Sequence, residues 1–371
     1  MSDAVGIGIV GGGFAGRMHA LAARMIGAHL VGIASSSPER AKAAAEALGA
    51  DHAFSSAADL IDDPRVEFIH VCTPNASHAD LATMALERGK HVICEKPLAT
   101  SVADAARLAD LAEQSGLVAA VCFAYRYQSM TRAARTRVTS GELGAVRVVH
   151  GTYLQDWMLD ATDSDWRMLS ATGGPSRAFA DVGSHWCDLA EWITGLRITE
   201  LAAVTSTVHE RRPRPANGDA EGDSALATVD TEDVACVVFR ATGGVVGTLT
   251  VSQVSAGRKN RLWIEIDAAN ASVVYDQESS EWLLVGGRTS NQVFARDGSS
   301  SAERYPHASA LPAGHARGFV EAFAQLFTDA YQSARNGSGV AFPTFDDGLR
   351  SAKITDAVLR AARSQKWVRV E

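Results

Sequence analysis

Positive charge in excess, paired cysteines and long apolar runs are all missing from this 371-residue chain. With 35 Lys+Arg against 43 Asp+Glu the net charge is −8, so neither nucleic acid nor an anionic membrane is attracted globally, although a local basic pocket stays compatible with that balance. The five cysteines (Cys72, Cys94, Cys122, Cys187, Cys236) are odd in number, widely spaced and without a C-x-x-C pair. That pattern argues against a disulfide framework or a zinc site and for buried, reduced thiols of a cytoplasmic protein. No segment approaches the roughly 18 apolar residues of a membrane helix, Val5 to Val10 is too short for a signal sequence, and Met1-Ser2-Asp3 lacks a basic start. What is present is ordinary: 46% apolar and 21% charged residues suit a globular protein. At about 150 residues per domain the length suggests two domains.

The first third alternates strand and helix. Val5 to Val10 is an apolar, Val- and Ile-rich run ending on glycines, followed by helical spacing from Phe14 to Met25 and a second strand at His29 to Ala34. Ser37-Pro38-Glu39 caps and opens a helix to Leu48. Strands at Phe68 to Cys72, His91 to Cys94 and Leu117 to Cys122, with helices from about Asn75 to Glu87 and Ser101 to Glu113 between them, continue the pattern. The expectation is an α/β fold: an N-terminal doubly wound parallel sheet of Rossmann type, residues 1–125. Beyond about residue 145, β segments follow one another at Val146 to Leu154, Ile198 to His209, Asp233 to Arg240, Gly243 to Val254, Arg261 to Asp267, Ala271 to Asp276 and Trp282 to Val285. They predict a mainly antiparallel sheet in an α+β domain, residues 126–371. Helices are expected at Val182 to Ile193, Gly314 to Ala334 and 345–364, the last free to return and pack on the first domain. Arg211 to Thr231, with Pro213, Pro215, Gly218 and Gly222, reads as an exposed loop.

Gly11-Gly12-Gly13-Phe14-Ala15-Gly16 fits G-x-G-x-x-G between a strand and a helix. Gly11 permits the tight turn, Gly13 lets a pyrophosphate approach, Gly16 lets helix and strand pack closely, and the helix-start amides hold the phosphate charge. A carboxylate gripping a ribose 2′-hydroxyl is expected about 20 residues on. That place reads Ala34-Ser35-Ser36-Ser37, with Arg40 following, which suits a 2′-phosphate and leans slightly towards NADP over NAD. Arg40 can equally be a solvated first-turn residue.

Glu95-Lys96-Pro97 ends a strand of the parallel sheet, and ligands of such sheets sit beyond the carboxyl ends of their strands. Lys96, aimed by a plausible cis bond to Pro97, can polarise a substrate hydroxyl or share in proton transfer; a surface lysine is the plainer alternative. Asp181-Val182-Gly183-Ser184-His185 places a carboxylate and an imidazole four apart, with Asp188 and Trp192 continuing the stripe. On one helix face they suit hydride transfer from an alcohol, His185 taking the hydroxyl proton. The alternatives are a helix-capping Asp181 and a satisfied core histidine.

The glycine turn, Cys72-Thr73-Pro74-Asn75, Glu95-Lys96-Pro97 and Asp181-x-x-x-His185 together resemble the glucose-fructose oxidoreductase / inositol dehydrogenase / rhizopine catabolism (Gfo/Idh/MocA) family over essentially the whole chain. The resemblance implies a Rossmann domain followed by a domain with a large open sheet that packs in dimers or tetramers. It puts Lys96, Asp181 and His185 at the catalytic positions, and Thr73, Pro74, Asn75, His78, Glu95 and Pro97 around the nicotinamide half of the cofactor. Tyr125-Arg126-Tyr127, Gln155-Asp156-Trp157 and Trp166-Arg167 are similar to the branch of the family that oxidises the C3 hydroxyl of pyranoses. Tyr125, Tyr127, Gln155, Trp157 and Arg167 also suit a sugar or cyclitol on chemical grounds, offering hydrogen bonds and flat aromatic faces, while packing at a domain junction is their bland alternative. Trp166 and Arg167 can also touch the cofactor. Cys187, His78 and the His307 to His315 region show no ligand-like clustering, so no metal is expected. Hydride transfer to NAD or NADP is the leading function. The alternatives are a glycosidase or lyase working by transient oxidation, and a dinucleotide-binding regulator without catalysis.

Overall fold

The computed structural model describes residues 4–215, 226–296, 318–337 and 341–371. They form two compact units, one of Met1–Ala124 with Gly318–Arg350, the other of Tyr125–Arg317 with Ser351–Glu371.

The first unit is a six-stranded, wholly parallel sheet in the order β3-β2-β1-β4-β5-β6. Its strands are β1 (Gly6–Val10), β2 (His29–Ala34), β3 (His52–Ala53), β4 (Phe68–Val71), β5 (His91–Cys94) and β6 (Ala119–Val121). The central strands are apolar on both faces, as helix-covered parallel strands must be: Ile7, Ile9, Ile69, Val71 and Ile93 are fully buried. The crossing helices are α1 (Phe14–Met25), α2 (Pro38–Leu48), α3 (Ala57–Asp62), α4 (His78–Glu87) and α5 (Val102–Ser115). Ser37, Ser56 and Ser101 cap α2, α3 and α5, each accepting a bond from the backbone N–H three residues on. The helix expected from Asn75 opens instead with a 3₁₀ turn, Asn75–Ser77.

In the second unit a nine-stranded sheet runs β16-β15-β14-β13-β7-β12-β11-β8-β17. These are β7 (Val146–Leu154), β8 (Ile198–Ser206), β11 (Val234–Ala241), β12 (Val246–Ser252), β13 (Arg261–Ala268), β14 (Ala271–Asp276), β15 (Trp282–Gly287), β16 (Asn291–Ala295) and β17 (Val368–Arg369). All neighbours are antiparallel except β7 and β12. Helices α6 (Ser129–Thr139), α7 (Ser170–Gly173) and α8 (Ser184–Thr194) belong to the same unit. Trp186 of α8 is fully buried and donates its indole N–H to the Trp263 carbonyl, 2.9 Å away. A Cβ at Gly151 of β7 would stand 2.6 Å from that indole nitrogen, so only glycine lets the helix seat there.

The exposed loop expected over Arg211 to Thr231 is corrected at its two described ends; positions 216–225 lie outside the described residues. Arg211–Pro213 (β9) and Leu226–Thr228 (β10) pair antiparallel, and Arg212 is fully buried. Its guanidinium donates to the carbonyls of Met158 and Asp160 at 2.6 and 2.5 Å and meets Asp233 at 3.3 Å. Proline and charge read as solvent-facing because the neutralising carboxylate, Asp233, lies 21 positions later, just ahead of β11. The long helix α9 spans Phe319–Asn336; positions 314–317 of the expected helix lie outside the described residues. The last helix, α10, is Phe345–Ser364 as expected. No helix among the described residues is long and apolar enough to cross a membrane.

Candidate active site

In the first unit the chain turns sharply from β1 into α1. Gly11 has φ +106°, and a Cβ there would fall 2.4 Å from the Cys72 carbonyl oxygen; one at Gly16 would fall 2.0 Å from the Gly11 oxygen. Gly13, the N-cap of α1, has open space where a side chain would stand. No side chain caps α1, in contrast to the serine-capped α2, α3 and α5, so the amides that open it are left to an outside acceptor. The cradle therefore fits a dinucleotide phosphate, and Phe14 beside it is 73% exposed. At the end of β2, Ser35 and Ser36 carry no charge, and Arg40 donates from Nη1 to Ser36 Oγ at 3.1 Å.

Beyond β4 and β5 stand the two segments expected at the nicotinamide end. His78 is buried and ties them together, its Nδ1 2.8 Å from the Pro97 carbonyl and its Nε2 2.9 Å from that of Thr73. Burial pushes its pKa below the usual histidine value. The structure thus gives His78 a clamp between Thr73-Pro74-Asn75 and Glu95-Lys96-Pro97, whose Lys96–Pro97 bond is cis. Lys96 and Glu95 are half-buried; Glu95 Oε2 accepts from the Lys96 amide at 3.1 Å, and its Oε1 lies 3.2 Å from His19 Nε2.

In the second unit Asp181 sits in a π-helical turn, Phe179–Gly183, that runs directly into α8. Such turns interrupt helices frequently at functional sites, because the extra residue re-aims the side chains beside it. Asp181 Oδ2 accepts from the amide of the fully buried Gln253 at 2.8 Å, and Oδ1 lies 3.6 Å from Arg167 Nε. Gln253 escapes sequence reading because nothing local marks a glutamine at a strand end. Arg167 stacks over Trp166, 4.2 Å from the ring centre, and pairs with Asp165. The His185 ring meets Tyr125 edge-on at 4.8 Å and Tyr153 at 6.5 Å.

A hydrogen-bonded triangle lies behind that ring. Tyr153 donates to Asn260 Oδ1 at 2.7 Å, Asn260 Nδ2 donates to Tyr125 Oη at 3.2 Å, and the two tyrosine oxygens are 2.6 Å apart. With the Tyr153 proton committed to Asn260, Tyr125 donates to Tyr153, so the directions around the ring are set. Gln277 also donates to Tyr125, at 3.1 Å. Gln155 donates to the same Asn260 oxygen at 2.9 Å and accepts from the Trp157 indole at 2.8 Å. Tyr125, Gln155 and Trp157, distant in sequence, are thereby joined through Asn260, a residue no motif announces. Tyr127 is buried, with the Arg132 guanidinium over its ring. Asp188 binds Arg126 through both oxygens.

Among the described residues two groups could approach a cation: His19 with Glu95 and Cys122, and His150 with Glu265 and Asp267. Cys187 is buried; His307 and His315 lie outside the described residues.

A parallel sheet with a glycine turn beneath uncapped helix amides, followed by a large mixed sheet, defines a class: oxidoreductases that use a nicotinamide dinucleotide. Residues 5–123 match the oxidoreductase family with NAD-binding Rossmann fold, and residues 131–274 match the GFO/IDH/MocA C-terminal domain. The chain is 31% identical to levoglucosan dehydrogenase of Pseudarthrobacter phenanthrenivorans, covering 98% of this chain and 97% of that protein. It is 28% identical to inositol 2-dehydrogenase of Rubrobacter xylanophilus, covering 100% and 94%. A structure of levoglucosan dehydrogenase in complex with NADH and levoglucosan superposes with a TM-score of 0.91 at 28% identity over 100% of both chains. The chain belongs to the Gfo/Idh/MocA oxidoreductase family.

Proposed function

We propose that this protein is a dehydrogenase that oxidises a secondary hydroxyl of a pyranose sugar, a sugar derivative or a cyclitol by hydride transfer to nicotinamide. The observation that carries the reading is the second unit's Asp181, seated on Gln253 and beside Arg167 in a π turn that leads to His185, next to a bonded array of Tyr, Gln, Asn and Trp. Amides and aromatic faces in one array suit a ring bearing several hydroxyls. Relatives named for levoglucosan and inositol support the substrate class. In this reading His185 takes the hydroxyl proton, Asp181 orients that histidine's surroundings, and Lys96 serves to polarise a substrate hydroxyl. The nicotinamide, when bound, accepts the hydride.

Residues 1–125, joined by the returning segment 318–350, serve as the dinucleotide-binding domain and the rest of 126–371 as the substrate-binding and oligomerisation domain, in a cytoplasmic protein of two or four copies. Light scattering tests the copy number. The uncharged end of β2 and Arg40 beside Ser36 favour NADP; fluorescence titration is expected to give tighter binding of NADP than NAD, with the preference reduced in Arg40→Ala, and an NAD preference would reverse this choice.

The main test is a panel of sugars and inositols with NAD and NADP, followed by the absorbance of the reduced nicotinamide. Lys96→Ala and His185→Ala are each expected to lower kcat by about 10²-fold or more. Full activity in both variants would sink the proposal. Release of a free sugar with no net reduced cofactor would move the reading to bond cleavage by transient oxidation.

A further inference from the structure

We propose that His19, His70 and Tyr331 form a buried hydrogen-bond relay, running in one direction onto Glu95, that positions the Lys96 segment for catalysis. The inference rests on the reading of Lys96 as a catalytic group.

Four residues from four parts of the first unit meet in line. Tyr331 of α9 places its hydroxyl 2.9 Å from His70 Nε2; His70 of β4 places Nδ1 2.9 Å from His19 Nδ1; and His19 of α1 places Nε2 3.2 Å from Glu95 Oε1. The other oxygen of that carboxylate, Oε2, accepts the backbone N–H of Lys96 at 3.1 Å. Glu95 is therefore the joint: one oxygen is held by the relay and the other holds the residue that carries the lysine.

The direction of the relay follows from its end. A carboxylate has no proton to give, so His19 donates from Nε2, and in the neutral imidazole that the relay requires its Nδ1 is the acceptor. His70 must then donate from Nδ1 and accept at Nε2, and Tyr331 supplies that last proton. The surroundings agree with a neutral His70 and a protonated phenol at Tyr331. Both histidines are fully buried, and the rings of Phe323 and Phe327 lie 5.5 and 4.9 Å from His19. Burial and the neighbouring His19 push the His70 pKa well down, and burial pushes that of Tyr331 well up.

Cys122 Sγ lies 3.5 Å from His19 Nε2, so the same atoms invite comparison with a cation site. The relay already accounts for His19 and Glu95 as donor and acceptor, and burial keeps the Cys122 thiol protonated. What the relay accomplishes is a tie between two functional parts: His19 sits on the helix that opens at the glycine turn, and Glu95 begins the segment that ends β5. A displacement of the lysine by about 1 Å is enough to cost on the order of 10²-fold in rate.

The test uses the full chain. Side-chain ¹⁵N spectra, assigned with His19→Gln and His70→Asn variants, are expected to show Nε2–H on His19 and Nδ1–H on His70. The opposite tautomers, or a charged imidazolium on either residue at neutral pH, would overturn the relay whether or not the enzyme proves to oxidise sugars. In kinetics, His19→Leu is expected to lower kcat by about 10²-fold with cofactor Kd and sugar KM within about twofold, while His19→Gln, which keeps a donor towards Glu95, recovers most of the loss. Tyr331→Phe removes only the terminal donor and is expected to lower kcat a few-fold without unfolding the protein. Unchanged kcat in His19→Leu would overturn the positioning role. So would one equivalent of zinc retained after dialysis by the unmodified protein and lost in Cys122→Ala, which would make the cluster a metal site.

Discussion

At the residue scale, the most consequential side chain outside the proposed site is Asp233. It is fully buried and faces two buried guanidiniums, those of Arg177 and Arg212, and it accepts the Val208 amide at 2.6 Å. Glu232 beside it gathers the Ser176 hydroxyl and the amides of Arg177 and Phe179, which anchors the start of the π turn bearing Asp181. Removing one partner of a buried ion pair strands the other charge, at a cost of about 3–5 kcal/mol. Asp233→Asn keeps the shape and removes the charge; urea unfolding should register a loss of that order, and a change below about 1 kcal/mol would mean water already neutralises the arginines. None of this was legible in the sequence. Asp233 reads as the ordinary acid before a strand, and Arg212 as part of a polar loop, because the two become partners only when separate segments converge. Lys96, Asp181 and His185 stand out earlier, since each lies within a short motif whose spacing has a chemical reason.

At the element scale, β4 and α4 carry the clearest dependence on pH. His70 on β4 and His78 at the start of α4 both have pKa values depressed by burial, so each is neutral in the folded protein and takes up a proton when the chain unfolds below about pH 6.5. A depressed folded value means that their contribution to stability is present above about pH 6.5 and is lost as the pH falls. Urea midpoints at about pH 7.5, 6.5 and 5.5 should therefore decline in that order below 6.5, and His70→Asn should flatten the decline. A profile that is flat in the unmodified protein would show that the histidines are solvated. The strands β1, β2, β4 and β5 were legible, because continuous apolar runs ending in glycine or proline mark buried parallel strands. Among the elements that were not, β3 is two residues long, α3 only six, and α6 (Ser-Met-Thr-Arg-Ala-Ala-Arg-Thr-Arg-Val-Thr) is too rich in Ser, Thr and Arg to display an apolar stripe. In α6, buried Met130, Thr131, Ala134 and Val138 form a face whose apolarity comes from small side chains.

At the scale of the whole molecule, dinucleotide binding should act as a stabiliser through mass action. Cofactor at about 100 times its Kd adds about 2.7 kcal/mol if the unfolded chain does not bind it. The thermal midpoint should rise with NAD or NADP and remain unchanged with ribose alone, and Gly13→Val, which fills the open face of the turn, should abolish the rise while leaving the midpoint of the free protein within a few degrees. An equal rise in that variant would place the cofactor elsewhere. The sequence by itself determined the strand–helix alternation of the first unit, the glycine turn and the order of the proposed catalytic motifs. These depend on periodicity, capping and local spacing, which a linear chain displays directly. Only the tertiary structure decided that Asn260 joins Tyr125 to Gln155, that Gln253 holds Asp181, and that His70 and Tyr331 back Glu95 through His19. Hydrogen bonds between residues 51 to 261 positions apart leave no periodic trace, because their energy is realised only when the intervening chain has already folded.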